Sequence, residues 1–257
     1  MKTIVLNQLD TATASVLRSL RHGYAAAVIG QEGAGVTVAC NHIIGNWKNA
    51  GGRKVLAFTA FPEGDMIKLL QYFASLVLGG EMPGDWGLHA ASNLIHLMSK
   101  KIKTAGVGLL VLDRADLAPE GFIDAIMTMC SNCSTEEHHV SLLLGMRMES
   151  RQARLFREFS FTHVATVAEL KPLDPGAIAA IMAESCDCFS KIPLLLESKD
   201  QTALAAIMEL HKLSGGNFRR IDQFVSYVND MKAPVDFTGA SIRRTWHESF
   251  QLGDMAA

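Results

Sequence analysis

Residues 28–39 read VIGQEGAGVTVA, and the reading of this stretch decides the fold. An apolar run, Tyr24 to Ile29, leads into it, and a helical pattern follows it. Between the two stands the frame Gly30-x-x-Gly33-x-Gly35-x-Thr37, with Ala34, Val36 and Val38 filling its second half. Glycines let a backbone wrap an anion with consecutive N–H groups, and the first turn of the following helix adds its dipole. The frame therefore has the strand, glycines, helix and hydroxyl of a phosphate-binding loop, and a strand-to-helix turn that binds nothing is its bland alternative. One position departs: where such a loop carries lysine, this chain carries Val36.

Short apolar runs recur at Tyr24–Ile29, Val55–Ala60, Val107–Leu112, Val140–Leu144 and His163–Val167. Helix-length segments separate them: Val38–Lys48, Asp65–Leu78, Leu88–Lys103, Phe122–Cys130 and Glu149–Glu158. This alternation predicts an α/β unit, a parallel sheet covered on both faces. Beyond Leu170 only helical patterns follow, at Pro175–Glu184, Asp200–Leu213, Phe218–Met231 and Gly239–Phe250, with Asp174-Pro175 as a cap and first turn. The expected organisation is a leading helical segment over 1–22, an α/β domain over 23–171 and a helical domain with tail over 172–257.

Two further stretches bear on the loop. GLLVLDRADL, residues 108–117, is an apolar strand ending in Asp113, about 75 positions after the loop, where a nucleotide-binding fold places a magnesium-associated carboxylate. The catalytic version continues with Glu, which polarises the attacking water; here Arg114 follows. SGGNFRRID, residues 214–222, opens a helix in the all-helical part.

Together, V-I-G-Q-E-G-A-G-V-T-V-A-C, L-L-V-L-D-R-A-D and G-N-F-R-R-I-D resemble an AAA+ ATPase over roughly residues 8–232. Within that superfamily the chain looks like the target-selector ATPases of DNA transposition, of the TniB, TnsC and phage Mu B type. The resemblance implies a P-loop NTPase sheet followed by a helical lid, ATP-dependent assembly into rings or filaments on duplex DNA, and recruitment of a transposase or targeting protein. It also implies ATP and Mg as cofactors, held by Gly30, Gly33, Ala34, Gly35, Val36, Thr37, Val38 and Asp113, with Thr37 and Asp113 on the metal. Arg220, or else Arg219, matches the lid's sensor arginine, and Arg154 and Arg157 in ARLFREF match an inter-subunit arginine finger. Lid salt bridges and surface solvation are their ordinary alternatives.

The departures weaken the energetics. Backbone N–H groups survive the change at position 36, but a charge-assisted hydrogen bond is worth ~1.5–3 kcal/mol, so nucleotide should bind roughly 10- to 100-fold more weakly unless another cation replaces it. A guanidinium cannot accept the proton of an attacking water, so Arg114 is no base, and hydrolysis is expected to be weak or absent.

A net charge of −2 excludes a globally basic nucleic-acid binder and leaves room for a local patch. The candidates for DNA are Lys100, Lys101 and Lys103, then Arg53, Lys54 and Lys68; lysines ending a helix also complement its dipole. No stretch approaches the ~18 apolar residues of a membrane span, and MKTIVLNQLD lacks a signal-peptide core, so a cytoplasmic location is expected. Five cysteines include Cys130-x-x-Cys133 and Cys186-x-Cys188, read as packed thiols ahead of a split zinc site.

Three functions remain open: a transposition regulator with a degenerate nucleotide site, working as a homo-oligomer or with an AAA+ paralogue; an active ATPase drawing a lysine from elsewhere, such as Lys48 or Lys54; and a pseudo-ATPase adaptor that binds proteins alone.

Overall fold

A computed structural model of the chain describes residues 7–62, 65–79, 91–135, 139–151, 153–154, 164–231 and 235–254. They fall into two units. One comprises residues 8–30 and 36–170; the other gathers Asn7 and residues 31–35 with the described residues beyond 170.

The first unit is built on five strands: β1 (Ala25–Gly30), β2 (Lys54–Thr59), β3 (Val107–Asp113), β4 (Ser141–Arg147) and β5 (Val164–Leu170). Their order is β2-β3-β4-β1-β5, and every neighbouring pair is parallel. Near-continuous apolar runs are what strands buried on both faces require, and β1, β3 and β4 are buried along almost their whole length. At the sheet's edge, β2 exposes Lys54, Ala57 and Thr59.

Parallel neighbours need crossover connections. These are α2 (Val36–Asn49), α3 (Met66–Leu78), α4 (Ala91–Thr104) and α5 (Phe122–Cys133), while α1 (Asn7–Arg21) precedes the sheet. Along β4, Leu142, Leu144 and Met146 join a core with Leu69, Phe73, Leu94, Met98, Phe122 and Ile126 from α3, α4 and α5. The alternate residues face the other way, where α2 lies: a side chain at Gly145 would meet Cys40 Sγ and Val36 Cγ1. The hydroxyl of Ser141 donates to the carbonyl of Leu20, tying α1 to the start of β4.

Local signals explain the helix ends. Asp65 caps α3, accepting from the N–H of Ile67 at 2.8 Å, and Gly79 ends it in the left-handed conformation. In the second unit, α6 (Pro175–Ser185), α8 (Gln201–Ser214) and α9 (Phe218–Asp230) start at caps Asp174, Asp200 and Asn217, and α10 (Gly239–Asp254) closes the chain. These helices bury Ile178, Met182, Ile207, Leu210, Phe224 and Trp246 in a core of their own.

The structure adjusts several expected bounds. β4 runs three residues past Leu144, to Arg147, and a short α7 (Ile192–Glu197) fills a stretch read without structure. The expected Glu149–Glu158 helix and the start of the Leu88–Lys103 helix lie partly outside the described residues.

Candidate nucleotide-binding site

In the sheet unit, the ends of β1, β3 and β4 and the start of α2 carry the polar groups. Thr37, in the first turn of α2, has an exposed hydroxyl that donates to Asp113 Oδ2 at 2.8 Å. Asp113 ends β3, and its Oδ1 accepts from the N–H of Arg114 at 3.0 Å. Beside it, a Cβ on Gly145 would come within 2.8 Å of Asp113 Oδ1, 3.0 Å of Cys40 Sγ and 3.2 Å of Val36 Cγ1. Glycine is thus what lets α2 and Asp113 approach β4. Burial, then the neighbouring charge of Asp113, pushes the Cys40 thiol up to about 12, so it stays neutral beside that carboxylate.

Magnesium takes hard oxygen ligands at ~2.0–2.1 Å in an octahedron, whose adjacent ligands lie about 2.9 Å apart. The Thr37 and Asp113 oxygens have that spacing, so they fit the magnesium of a bound nucleotide. At the lysine position, Val36 contributes only a half-buried apolar side chain. Arg114 is exposed and left-handed, with φ 54°, and leads into a single turn over Ala115–Leu117.

That turn presents a residue the sequence reading passed over. Asp116 accepts Arg147 Nε at 2.7 Å and the Arg147 N–H at 3.2 Å, joining the ends of β3 and β4. The Asp116 side chain is 1% exposed and that of Arg147 40%. A buried carboxylate three residues after Asp113 demanded a partner, which was the available signal.

The helical unit holds the middle of the glycine-rich loop. Ala34 N–H donates to the carbonyl of Gln31 at 2.9 Å, closing a turn. Asn217 Nδ2 donates to the carbonyl of Glu32 at 2.7 Å, and the N–H of Arg219 donates to the carbonyl of Gly33 at 3.0 Å. Asn217 Oδ1 accepts from the N–H of Arg220, so the residue that caps α9 also grips the loop. Gly33 is left-handed, φ 79°, and a Cβ there would lie 2.3 Å from Asn217 Oδ1. The Gly-Asn-Phe-Arg-Arg motif thus meets this loop through Asn217 and a backbone amide, while the Arg219 and Arg220 side chains are exposed.

The remaining candidates are dispersed. Val38 is exposed on α2. Arg154 is exposed, and Arg157 lies outside the described residues. Lys100 and Lys103 are exposed near the end of α4, Lys101 is half-buried, and Lys68 is exposed on α3. Lys54 pairs in register with Val107, so it and Arg53 stand at the amino edge of the sheet, while Thr37 and Asp113 stand at the carboxyl edge. The expected substitute lysines are therefore misplaced. Lys48 lies in the last turn of α2, about 18 Å along the helix from Val36, and Lys54 begins β2. Cys130, Cys133 and Cys186 are buried, and Cys188 is exposed. No described group of three or more His, Cys, Asp or Glu has a metal-binding arrangement. No described helix is long and apolar enough to cross a membrane.

The strand order, the loop after β1 and the following helical unit define the AAA+ P-loop NTPase fold. The ORC2 protein of Aeropyrum pernix, solved as ADPNP–ADP complexes, superposes with a TM-score of 0.63 at 11% identity over 94% of this chain and 67% of its own. The Aeropyrum pernix ORC1 protein in complex with DNA gives 0.58 at 13% identity, over 95% and 66%. Domain III of the Thermotoga maritima replication initiation protein DnaA gives 0.54 at 14%, over 95% and 93%. The chain thus spans about two thirds of the archaeal chains, and the likeness is one of fold. No protein-family model matches the sequence, and no curated protein does.

Proposed function

We propose that the chain is an AAA+-type subunit that binds ATP and magnesium without appreciable turnover and serves DNA transposition as an assembly and recruitment factor on duplex DNA. The observation that carries this reading is the Thr37–Asp113 hydrogen bond, a magnesium-competent oxygen pair kept where Val36 and Arg114 replace the lysine and the base. The chain keeps what positions a nucleotide and lacks what hydrolyses one. The DNA role is supported by the sequence resemblance and by the fold shared with an ORC1 protein solved on DNA. Exposed Lys100 and Lys103 are the proposed phosphate contacts, with Lys101 between them. Arg154 and Arg157 are the proposed bridge to a neighbouring subunit, whether a second copy or an AAA+ paralogue.

Turnover and DNA affinity test the reading. ATP should bind, and hydrolysis should remain at background with DNA and magnesium, whereas Val36→Lys with Arg114→Glu should gain activity. Turnover of about 1 per second by the unaltered chain would overturn the reading. Duplex affinity should be sequence-tolerant and fall with log salt at a slope of roughly −0.9 per neutralised phosphate, a slope that Ala at Lys100, Lys101 and Lys103 flattens.

A second reading, an adaptor for proteins alone, draws on exposed Leu194 and Leu195 on α7 and Leu204 and Met208 on α8. Absence of any salt-sensitive duplex binding would favour it.

A further inference from the structure

The charges of the sheet unit are sorted along its strands. From Gly33 to Pro62 the chain carries Lys48, Arg53 and Lys54 and no Asp or Glu, and from Trp86 to Leu112 it carries Lys100, Lys101 and Lys103 and again no Asp or Glu. All 26 acidic residues lie outside these two stretches. A chain of net charge −2 therefore holds two purely cationic stretches, and the fold decides whether they form one surface.

They do, through two turns of the same construction. Near the end of α2, the carbonyl of Lys48 accepts from the N–H of Gly51, left-handed at φ 73°. Near the end of α4, the carbonyl of Lys103 accepts from the N–H of Gly106, left-handed at φ 69°. Each glycine turns its helix back toward the following strand. Those strands, β2 and β3, are neighbours, and Lys54 pairs with Val107, so both turns open on the same corner of the amino edge. α4 packs on the face of the sheet that carries Leu142 and Leu144, and α2 packs on the opposite face, against Gly145. Lys48 and the Lys100–Lys103 turn thus flank the edge from its two sides, with Lys54 between them.

The corner is held in place from below. The indole Nε1 of buried Trp47 donates to the carbonyl of Arg53 at 2.9 Å, and a Cβ on Gly108 of β3 would come within 2.7 Å of Arg53 Cβ. Lys48, Lys54, Lys100 and Lys103 are exposed, and none of the four forms an ion pair among the described residues. A helix dipole accounts for lysines at the ends of α2 and α4 but not for Lys54, which opens a strand.

Four exposed ammonium groups on a fixed backbone suit a regular row of phosphates, because each contact releases counterions and the turns need no ordering on binding. No exposed large apolar side chain falls within residues 44–57 or 95–110. The corner therefore offers neither an apolar face for a lipid surface nor an aromatic platform for unstacked bases. Duplex DNA, a stiff polyanion that carries its phosphates outside, is the partner this chemistry fits.

We propose that duplex DNA binds across this amino-edge corner, with Lys48 and Lys54 contacting phosphates together with Lys100 and Lys103. The inference rests on the DNA-binding reading above and gives it a surface of two turns in place of one lysine cluster. β3 runs seven residues from Val107 to Asp113, so the duplex lies about 20 Å from the Thr37–Asp113 pair at the other end of the strand. DNA and nucleotide are thereby held at opposite edges and occupy the chain together.

The experiment is equilibrium binding of a fluorescent duplex of arbitrary sequence to the full chain over a series of salt concentrations. Lys48→Gln with Lys54→Gln should weaken binding and reduce the slope of log affinity against log salt by about 1.8, two phosphates at roughly 0.9 each, and Lys100→Gln with Lys103→Gln should do the same. Lys48→Arg with Lys54→Arg should keep the parent's slope, since the charge is kept. Lys191→Gln with Lys212→Gln, an equal loss of exposed charge on the helical unit, should keep it too. ATP with magnesium at matched ionic strength should leave the duplex bound. A parental slope in Lys48→Gln with Lys54→Gln would overturn the proposal and leave the DNA reading to the α4 lysines alone. So would a slope lost as fully in the arginine pair, which marks a structural role, or in the Lys191 and Lys212 pair, which marks net charge. Release of the duplex by ATP, or tighter capture by phosphatidylserine vesicles than by duplex at the same salt, would overturn it as well. A parent without salt-sensitive duplex binding would instead remove the DNA reading, and this surface with it.

Discussion

Thr37 Oγ1 donates to Asp113 Oδ2 across 2.8 Å, joining the first turn of α2 to the end of β3. The pair is magnesium-competent only while both oxygens are present. ATP should therefore bind the parent more tightly with magnesium than with chelator, whereas Thr37→Val and Asp113→Asn should lose most of that difference. Titration of each variant in both conditions measures it. An undiminished magnesium effect in Asp113→Asn would place the metal elsewhere.

Gly33 and Asn217 should be energetically coupled. A left-handed non-glycine residue costs about 1–2 kcal/mol, and the added methyl would meet Asn217 Oδ1 at 2.3 Å. Gly33→Ala should therefore destabilise the chain, and Asn217→Ala should relieve part of the loss. A double-mutant cycle by urea denaturation should return a coupling of about 0.5–3 kcal/mol. Strict additivity would show that the two residues do not meet.

Arg114 sits at φ 54° with an exposed side chain, so its backbone is paid for by the surrounding turn. Arg114→Gly should raise the unfolding free energy by up to about 1 kcal/mol, read as a higher urea midpoint at unchanged m-value. A lower midpoint would mean that the side chain contributes more than the backbone costs.

Alkaline stability should follow the thiols. Burial raises Cys40, Cys130, Cys133 and Cys186 above the ordinary thiol value of 9.0, with Cys40 and Cys186 each reaching about 12. The folded state therefore holds protons that the unfolded chain releases, so their contribution is complete below pH 9.0 and is lost as pH rises toward about 12. The slope of midpoint against pH between those limits should be steeper in the parent than in a Cys40→Ala, Cys130→Ala variant. At neutral pH a thiol reagent should modify exposed Cys188 first.

Much of this was legible before the structure. The strand after Tyr24, the glycines and Asp113 announced themselves because each is local: an apolar run, a turn that needs glycine, a carboxylate closing a strand. Asp174 marked a helix start for the same reason, and the caps Asp200 and Asn217 emerged only with the structure. Asp116 with Arg147 was missed because 31 residues separate them, and only the adjacency of β3 and β4 brings them together. The Lys48 and Lys54 alternative failed on a different count. Sequence proximity to the loop carries no information about which end of a helix or strand a side chain occupies. The stretch 214–222 was read through its arginines, whereas its loop contacts run through an amide side chain and a backbone N–H, which no charge pattern displays. Pro193, near the start of α7, was a usable sign of that short helix.

The five residues 31–35 interrupt the sheet unit in sequence and belong by their contacts with the helices. A fragment ending at Leu170 would contain every strand, the Thr37–Asp113 pair and the whole glycine-rich motif, and it would pass for a complete nucleotide domain on paper. It would also strip the carbonyls of Glu32 and Gly33 of their donors from Asn217 and Arg219. The loop and its brace are separated by 185 positions between Glu32 and Asn217, so a chimera whose exchanged helical end lacked an equivalent of Asn217 would carry a loop without its lock.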